Sequence, residues 1–375
     1  MHLRLSGIYP NRQETVTTVL KTQPATSKCR TIGSNLELSC ESLVVNPAFG
    51  IAYLACEPIM SRFYYNPTQK KMNTPYSGYG AVYSLDLKVL YSKSSFVNLT
   101  TFKTERITKL SIPNIPVNVS ILGIDYTLKD STTALLSFIN HHPSGSRVET
   151  VSHTKGATTL TFIESFATKD LVRVPNSIAA VGGGSFYATS GPTDHLEFVT
   201  PLAWGSILYY DAETKKARIV AKDINFSNGI AKSADNQFIY STSTSGAVHI
   251  YKRVNPDTGA LKLVEKVNLD YYLDNLSVHP KTGQVYVTGH ANGLEFISAM
   301  GDLSGTKKST SFVSKISNNT GEDLFYGHKY KQELIFVGQE SLFSTASHVA
   351  VDVVNTKTLF GSLMRKGVVV CDWIL

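Results

Sequence analysis

One pattern of polar and apolar positions recurs along the chain. A turn rich in Pro, Gly, Asp or Asn is followed by a short run in which aromatic and β-branched residues predominate. A run of this kind, bounded by turn residues, is typical of a β-strand. The clearest copies are residues 46–54, 183–189, 235–242 and 279–287. Helical periodicity is scarce between them, so the pattern predicts an all-β protein.

The copies are spaced at nearly regular intervals. Tyr187, Tyr240 and Tyr286 occupy the same place in three copies and are 53 and 46 residues apart. Further strand pairs, such as residues 247–251 and 261–264, fit between the copies. A repeat of about 50 residues suits a propeller blade of four short strands.

The length of the chain then predicts how many blades it forms. We expect residues 1–28 to be an N-terminal extension and residues 29–375 to be a six-bladed β-propeller with four-stranded blades. A seven-bladed ring would need shorter repeats. The first third is less regular, and residues 58–80 are interpreted as a long connection that shapes a channel mouth.

Composition excludes several classes of protein. Hydrophobic residues make up 42% of the chain and charged residues 17%, which indicates a globular protein. The formal net charge is +7, but the basic residues are scattered, whereas nucleic-acid binding needs a clustered basic stripe. No run approaches the roughly 20 apolar residues of a membrane helix. The first residues also lack the apolar segment of a signal peptide.

The four cysteines, Cys29, Cys40, Cys56 and Cys371, do not have the spacing of a zinc site. In a closed ring the two ends of the chain meet, so Cys29 and Cys371 could form a disulfide; four buried thiols are the alternative. Glycosylation sequons, which weakly favour a secreted glycoprotein, stand at Asn98, Asn118, Asn225, Asn275 and Asn318.

An adjacent acid and amide, Asp274 and Asn275, precede a turn and a strand. Carboxylate and amide oxygens are the ligands that calcium prefers. The alternative is that both are ordinary turn residues. The same choice applies to Asn228, because Asn-Gly is a common hairpin turn.

Longer segments resemble a known family. The segments that carry the resemblance are residues 171–187, 202–210, 226–235 and 274–293. They are similar to the serum paraoxonase/arylesterase family, and the resemblance covers most of residues 29–373. It implies a six-bladed calcium propeller with lactonase and aryl-esterase activity.

The resemblance also implies a set of calcium ligands. One catalytic calcium ion would be held by Glu41, Asn176, Asn228, Asp274 and Asn275. Two carboxylates and three amide oxygens suit a cation that takes six to eight oxygen ligands, and they leave positions open for water or substrate.

The chain departs from the family at two places. The family's second, structural calcium would use the positions of Ser42, Ser177 and the carbonyl of Ile124. Both carboxylates are missing there, so we predict that this site is lost or rebuilt. The family's histidine pair matches Leu122 and His141, so the pair is broken. His141, Asp274 or Glu41 could take the proton from water, and His142 is a further candidate.

Other family positions concern the pocket and the cysteines. Phe226, His290 and Leu122 are expected to line the substrate pocket, whereas Asp194 and His195 are expected to order a loop. The resemblance implies a disulfide between Cys29 and Cys371 and thus favours a secretory, oxidising compartment. Cys40 and Cys56 are additional, and the default role of Cys40, which is adjacent to Glu41, is packing in the core.

Together these observations predict a calcium-dependent hydrolase of small carboxylic esters and lactones. Calcium would polarise the carbonyl while water attacks it. No G-x-S-x-G nucleophile motif is present. A non-catalytic, calcium-stabilised binding propeller and a gluconolactonase-type sugar lactonase are the alternatives. The sequence leaves the oligomeric state open.

Overall fold

The strands of the chain form separate four-stranded sheets. The computed structural model describes residues 10–59, 65–66, 71–72, 80–88, 107–115, 119–141, 145–168, 170–172, 174–191, 203–302, 304, 306–321, 327, 329–339 and 341–373. Within these residues there are six four-stranded antiparallel sheets and one two-stranded sheet. The predicted six-bladed β-propeller with four-stranded blades is therefore confirmed.

The blades follow one another along the chain, and each runs from an inner to an outer strand. The first strand, β1 (Cys29–Ile32), is the outermost strand of the last blade. Blade 1 contains β2 (Leu38–Asn46), β3 (Ile51–Pro58), β6 (Ala81–Asp86) and β7 (Ile107–Lys109), with the small sheet of β4 (Tyr65–Asn66) and β5 (Lys71–Met72) inserted. Blade 2 contains β8 (Ile121–Leu128), β9 (Thr133–Asn140), β10 (Arg147–Thr154) and β11 (Leu160–Ala167).

The remaining blades repeat this order. Blade 3 contains β12 (Pro175–Gly182), β13 (Ser185–Ser190), β14 (Gly205–Asp211) and β15 (Lys216–Ile224). Blade 4 contains β16 (Ser227–Lys232), β17 (Phe238–Ser243), β18 (Ala247–Asn255) and β19 (Ala260–Asn268). Blade 5 contains β20 (Tyr272–Val278), β21 (Val285–His290), β22 (Ser311–Asn318) and β23 (Tyr330–Gly338). Blade 6 contains β24 (Ala346–Asp352), β25 (Lys357–Ser362) and β26 (Val368–Cys371), completed by β1.

The six inner strands surround the axis of the ring. Each contacts the inner strand of the next blade, and β24 contacts β2, so the circle is closed. The closing blade combines the two ends of the propeller, because β1 pairs with β26 in antiparallel register. All six inner strands start at the same end of the ring, which brings residues at equivalent positions of different blades together.

The apolar core is divided among the junctions between blades. Six clusters of buried residues are present in the described chain, and each joins two neighbouring blades. The aromatic residue of the sequence repeat supplies these clusters: Tyr53, Tyr187 and Tyr286 are among the largest fully buried side chains. Burying a side chain of this size contributes roughly 1.5–3 kcal/mol, so the repeat is a packing signal.

The predicted N-terminal extension includes a helix, α1 (Pro10–Thr22), which packs against β23 of blade 5. Val19 joins the apolar cluster between blades 4 and 5. The side-chain amide of Gln23 donates to the carbonyl of Val337 at 3.1 Å and accepts from its N–H at 2.8 Å. Residues 10–23 thus contact the outer edge of one blade. Among the described helices, none is long and apolar enough to cross a membrane.

All four cysteines form disulfides. Cys29 pairs with Cys371, as the resemblance implies, and this bond joins β1 to β26. Cys40 pairs with Cys56 across β2 and β3, a bond that the sequence pattern did not predict, and both residues also pack in the core between blades 6 and 1. The register between the two strands places Cys40 opposite Cys56, which brings their Cα atoms to 4.0 Å.

Candidate metal centre

Every inner strand carries an irregularity near its start. The register with the second strand of the blade shifts by one residue, which is the pattern of a β-bulge. The shifts fall at Glu41, between Ile121 and Ile124, between Pro175 and Ile178, between Ser227 and Ile230, between Leu273 and Leu276, and at Ser347. The six blades thus place six bulges around one end of the channel.

The predicted calcium ligands lie at these bulges. Glu41 belongs to blade 1, Asn176 to blade 3, Asn228 to blade 4, and Asp274 with Asn275 to blade 5. A bulge bends the strand and re-aims a side chain, so residues that regular pleating would alternate between faces can turn toward one point. Four of the five side chains are buried, and Asn176 is half-buried.

Three of these side chains are in direct contact. The Nδ2 of Asn275 lies 2.6 Å from Oε1 of Glu41 and 3.3 Å from Oδ1 of Asp274. Asn275 is 1% exposed, and 234 positions separate it from Glu41 in the sequence. The structure therefore brings ligand positions of blades 1 and 5 together. Asn275 is also one of the sequons, and its burial excludes glycosylation of the folded chain at this residue.

His290 is bonded to the same group. Its Nε2 lies 3.3 Å from Oδ2 of Asp274, and its ring stacks on Phe296 with the centroids 3.9 Å apart. Phe296 belongs to a short helix, α2 (Gly293–Met300), whose first N–H groups are capped by the side chain of Asn292. The buried imidazole is thus held between a carboxylate and an aromatic ring.

A threonine faces the bulge in three successive blades: Thr189, Thr242 and Thr288. The hydroxyl of Thr242 accepts from the N–H of Gly229 at 2.7 Å and donates to the carbonyl of Asp274 in the next blade at 2.6 Å. Thr189 bonds the carbonyl of Asn228 in the same way, and Thr288 bonds the carbonyl of Ser347 at 2.9 Å. These hydroxyls fix the backbone that carries the predicted ligands.

Two glycines allow the bulges to approach one another. A Cβ atom on Gly229 would lie 2.7 Å from the Cα of Asn275 and 2.9 Å from the carbonyl oxygen of Asp274. A Cβ atom on Gly123 would lie 2.8 Å from the Cα of Ser177. All three distances are shorter than the contacts of real Cβ atoms, so glycine is required where these inner strands touch.

The chemistry of the group suits a hard cation. The side-chain oxygens of Asn176 and Asn228 are buried and have no hydrogen-bond partner within the described structure. An unpaired buried carbonyl oxygen costs free energy that a bound cation would recover. In the part of the chain that is described, no three His, Cys, Asp or Glu side chains cluster for a metal, so the amide oxygens are essential to this candidate.

The position of the expected second calcium contains a different pair. Ser42 Oγ lies 3.3 Å from Nδ1 of His348, and both side chains are buried. Burial lowers the pKa of His348 to about 4, so the imidazole is neutral at pH 7. Ser177 and Ile124 are also buried.

His141 is buried beside the end of β9. Its ring Nδ1 lies 3.1 Å from Oγ of Ser146, and its backbone N–H donates to the carbonyl of Ser120 at 2.8 Å. Ser120 in turn donates to the carboxylate of Glu57 at 3.0 Å. A serine hydroxyl therefore contacts the ring of His141, whereas Leu122, at the position expected for the family's second histidine, packs against the apolar cluster between blades 2 and 3.

The predicted pocket residues have different surroundings. Leu122 is half-buried and packs against the apolar cluster between blades 2 and 3. Phe226 is buried in a turn with φ of 43°, a left-handed conformation that is uncommon for an aromatic residue. His142, Asp194 and His195 lie outside the described residues.

A regular spacing in the sequence marks these threonines. In three blades the threonine stands two places after the repeat tyrosine: Thr189 after Tyr187, Thr242 after Tyr240, and Thr288 after Tyr286. His348 had no such signal. It does not lie in a segment that carries the resemblance, and its partner Ser42 is 306 positions away.

Comparison with known proteins agrees with this architecture. The family model described as Arylesterase matches residues 80–369. Serum paraoxonase/arylesterase 1 of Mus musculus is 32% identical over 183 residues, which are 46% of this chain and 49% of that protein. Serum paraoxonase/lactonase 3 of Oryctolagus cuniculus is 31% identical over 187 residues, covering 47% of this chain and 50% of that protein.

Another relative and one solved structure are also similar to this chain. Serum paraoxonase/arylesterase 2 of Homo sapiens is 30% identical over 179 residues, 46% of this chain and 49% of that protein. The chain thus spans about half the length of these curated relatives. A luciferin-regenerating enzyme has the same fold with a TM-score of 0.50, 12% identity and 91% coverage of both chains. Because the family model matches most of its length, the chain belongs to the arylesterase family.

Proposed function

We propose that the chain is a calcium-dependent hydrolase of carboxylic esters and lactones. The observation that carries the proposal is the convergence of Glu41, Asp274 and Asn275 from bulges of two blades, together with the unpaired buried oxygens of Asn176 and Asn228. These five residues would hold the ion. A bound calcium ion would supply positive charge beside the carbonyl oxygen of an ester.

The residues around Asp274 suggest how a proton moves. Asp274 is the best placed of the three expected bases, because His290 Nε2 lies 3.3 Å from its Oδ2. The carboxylate would accept the proton of the attacking water, and the imidazole beside it would orient the carboxylate and share the proton. Glu41 and His141 are the alternative acceptors. His141 is held by the Ser146 hydroxyl, and Leu122 stands at the position that the resemblance gives to the family's second histidine.

The same surroundings bear on the pocket and on the number of ions. We assign Leu122, Phe226 and His290 to the pocket wall, where the two apolar side chains would favour aryl or alkyl groups. A single catalytic ion is proposed. At the second position, Ser42 and Ser177 stand in place of carboxylates, and Ser42 is hydrogen-bonded to the buried imidazole of His348. The two disulfides favour an oxidising compartment.

Hydrolysis of phenyl acetate and of a medium-chain lactone by the purified chain tests the proposal. Activity should disappear after chelation and return with calcium chloride. Asp274→Asn should lower kcat/KM on the order of a hundredfold and weaken calcium binding measured by calorimetry. Asp257→Asn, in an exposed turn of blade 4, is the matched control and should change neither value by more than about twofold.

Two other results would redirect the assignment. Folded protein that binds calcium but hydrolyses neither ester nor lactone would support the non-catalytic binding propeller. Turnover of sugar lactones in preference to aryl esters would support the gluconolactonase-type alternative. Full activity of the Asp274→Asn protein would remove Asp274 from the proposed mechanism.

A further inference from the structure

The disulfide between Cys40 and Cys56 lies directly beside the bulge of Glu41. From the hairpin turn outward, β2 and β3 pair regularly from Asn46 with Ile51 to Ser42 with Ala55. The register then shifts, and the next pair is Cys40 with Cys56. Glu41 is the extra residue, so the disulfide closes the bulge on the side away from the hairpin.

The disulfide can form only when β2 and β3 pair in the bulged register. Without the extra residue, the pairing of the hairpin would place Cys40 opposite Glu57 and move Cys56 one position away. Both cysteines are buried, at 2% and 0% exposed, in the core between blades 6 and 1. The covalent bond therefore keeps β2 in the register that aims Glu41 toward Asn275.

Blade 1 lacks the hydroxyl found in blades 3, 4 and 5. In blades 3, 4 and 5 the residue opposite the bulge is threonine, whereas Ala55 occupies that place in blade 1. An alanine side chain makes no hydrogen bond to the bulge backbone. The disulfide stands at the next residue pair and supplies a fixed connection that the threonine supplies elsewhere.

Neighbouring atoms reinforce the same segment from blade 6. Ser347 Oγ donates to the backbone carbonyl of Glu41 at 2.8 Å. A Cβ atom on Gly361 would lie 2.6 Å from the carbonyl oxygen of Cys40, so the second strand of blade 6 touches the bulge closely. The Glu41 bulge is thus enclosed by a covalent bond on one side and a packed strand on the other.

We propose that the Cys40–Cys56 disulfide positions Glu41 for cation binding. This inference rests on the calcium site proposed above. The disulfide fixes the bulge before the ion arrives, so calcium binding does not have to order Glu41. The disulfide therefore raises calcium affinity beyond any effect that it has on global stability. Cys40 and Cys56 act through Glu41 and do not touch the substrate.

Calorimetry with calcium chloride on two double variants tests the proposal. In C40A/C56A, the dissociation constant for calcium should rise about tenfold or more relative to the wild-type protein. The matched control is C29A/C371A, which removes the disulfide at the ring closure, and its constant should stay within about twofold. The calcium-induced rise in Tm should shrink in the first variant and persist in the second.

A measurement on the wild-type protein covers the case in which C40A/C56A does not fold. Coupling between two events is reciprocal, so calcium must also protect the disulfide. Excess calcium chloride should shift the equilibrium between the Cys40–Cys56 disulfide and its dithiol, set by a buffer of reduced and oxidised dithiothreitol, about tenfold toward the disulfide, while the equilibrium for Cys29–Cys371 changes little. Alkylation of the free thiols followed by peptide mass spectrometry separates the two equilibria.

The outcomes distinguish this inference from the proposed function. A wild-type protein that does not bind calcium overturns both. Calcium bound with equal affinity by the wild-type and C40A/C56A proteins overturns the positioning role alone. Equal protection of both disulfides, or protection of neither, also overturns it.

Discussion

The hydroxyl of Thr242 shows how one side chain holds two blades together. It accepts a hydrogen bond from its own blade at Gly229 and donates one to the next blade at Asp274. Both backbone groups are in the interior, where an unpaired donor or acceptor is costly. The position of a predicted calcium ligand therefore depends on a residue that would not touch the ion.

Replacing this hydroxyl by a methyl group tests what it contributes to the stability of the fold and to the geometry of the proposed calcium site. Thr242→Val keeps the volume but leaves two buried backbone groups unpaired, so we expect the free energy of unfolding to fall by roughly 1–3 kcal/mol. We also expect weaker calcium binding, since the Asp274 backbone loses its bond. Urea unfolding of the calcium-free protein and calorimetry measure the two effects.

Thr161 provides the control for this substitution. It lies exposed on the outer strand of blade 2, and Thr161→Val should change stability by about 0.5 kcal/mol or less. If Thr242→Val behaved like Thr161→Val in both measurements, the threonines would be packing residues and their bonds would not position the site.

Individual ligand positions were predictable where their chemistry is distinctive. Asp274 next to Asn275 stands out because carboxylate and amide oxygens suit calcium. The threonines did not stand out, because a threonine in a strand is explained equally well by β-propensity. His290 was matched to a pocket position, but its bond to Asp274 depends on a contact between a strand start and a strand end that the sequence does not specify.

The strands themselves were predicted well, whereas their bulges were not. Alternation of apolar and polar residues indicates a strand, and one additional residue merely moves the pattern to the opposite face. For Glu41 this shift had a further effect. Regular hairpin pairing from Asn46 and Ile51 sets Cys40 opposite Glu57, so the disulfide with Cys56 could not be found without knowing the bulge.

The close approach of neighbouring bulges gives a direct test of this geometry. Gly229→Ala places a methyl group within 3 Å of two backbone atoms of β20, and backbone cannot move aside cheaply. We expect a stability loss of roughly 1–3 kcal/mol together with weakened calcium binding. Thermal unfolding with and without calcium chloride reports both.

Gly301→Ala is the corresponding control at the end of α2. A Cβ atom there meets its nearest neighbours at 3.6 and 3.8 Å, which is ordinary contact. This variant should unfold within a few degrees of the wild-type protein. Equal behaviour of the two alanine variants would show that blades 4 and 5 can separate at Gly229 without affecting the site.

The number of blades followed from the repeat length, because each blade must bury its aromatic residues against the next. The six apolar clusters, one at each junction, are the physical basis of that repeat. Because the two ends of a closed ring meet, a bond between Cys29 and Cys371 could be foreseen from the predicted propeller. The contact of α1 with blade 5 was not, since the helix contributes few apolar residues to the core.

The Cys29–Cys371 disulfide should contribute more to stability, whereas the Cys40–Cys56 disulfide should contribute more to calcium binding. Cys29 and Cys371 are 342 positions apart, whereas Cys40 and Cys56 are 16 apart. In the calcium-free protein, C29A/C371A should therefore lose about 6 kcal/mol and C40A/C56A about 3 kcal/mol. Urea unfolding measures this order, and a larger loss in C40A/C56A would contradict the chain-entropy explanation.

Ring closure also determines when the site can exist during synthesis. Glu41 leaves the ribosome 234 residues before Asn275, and at roughly 5–20 residues per second that delay is on the order of ten to fifty seconds. During this interval, β2 has neither blade 5 nor blade 6 beside it. The first of the five proposed calcium ligands is therefore translated long before the last, and the newborn chain cannot assemble the proposed ligand set until its fifth blade has emerged.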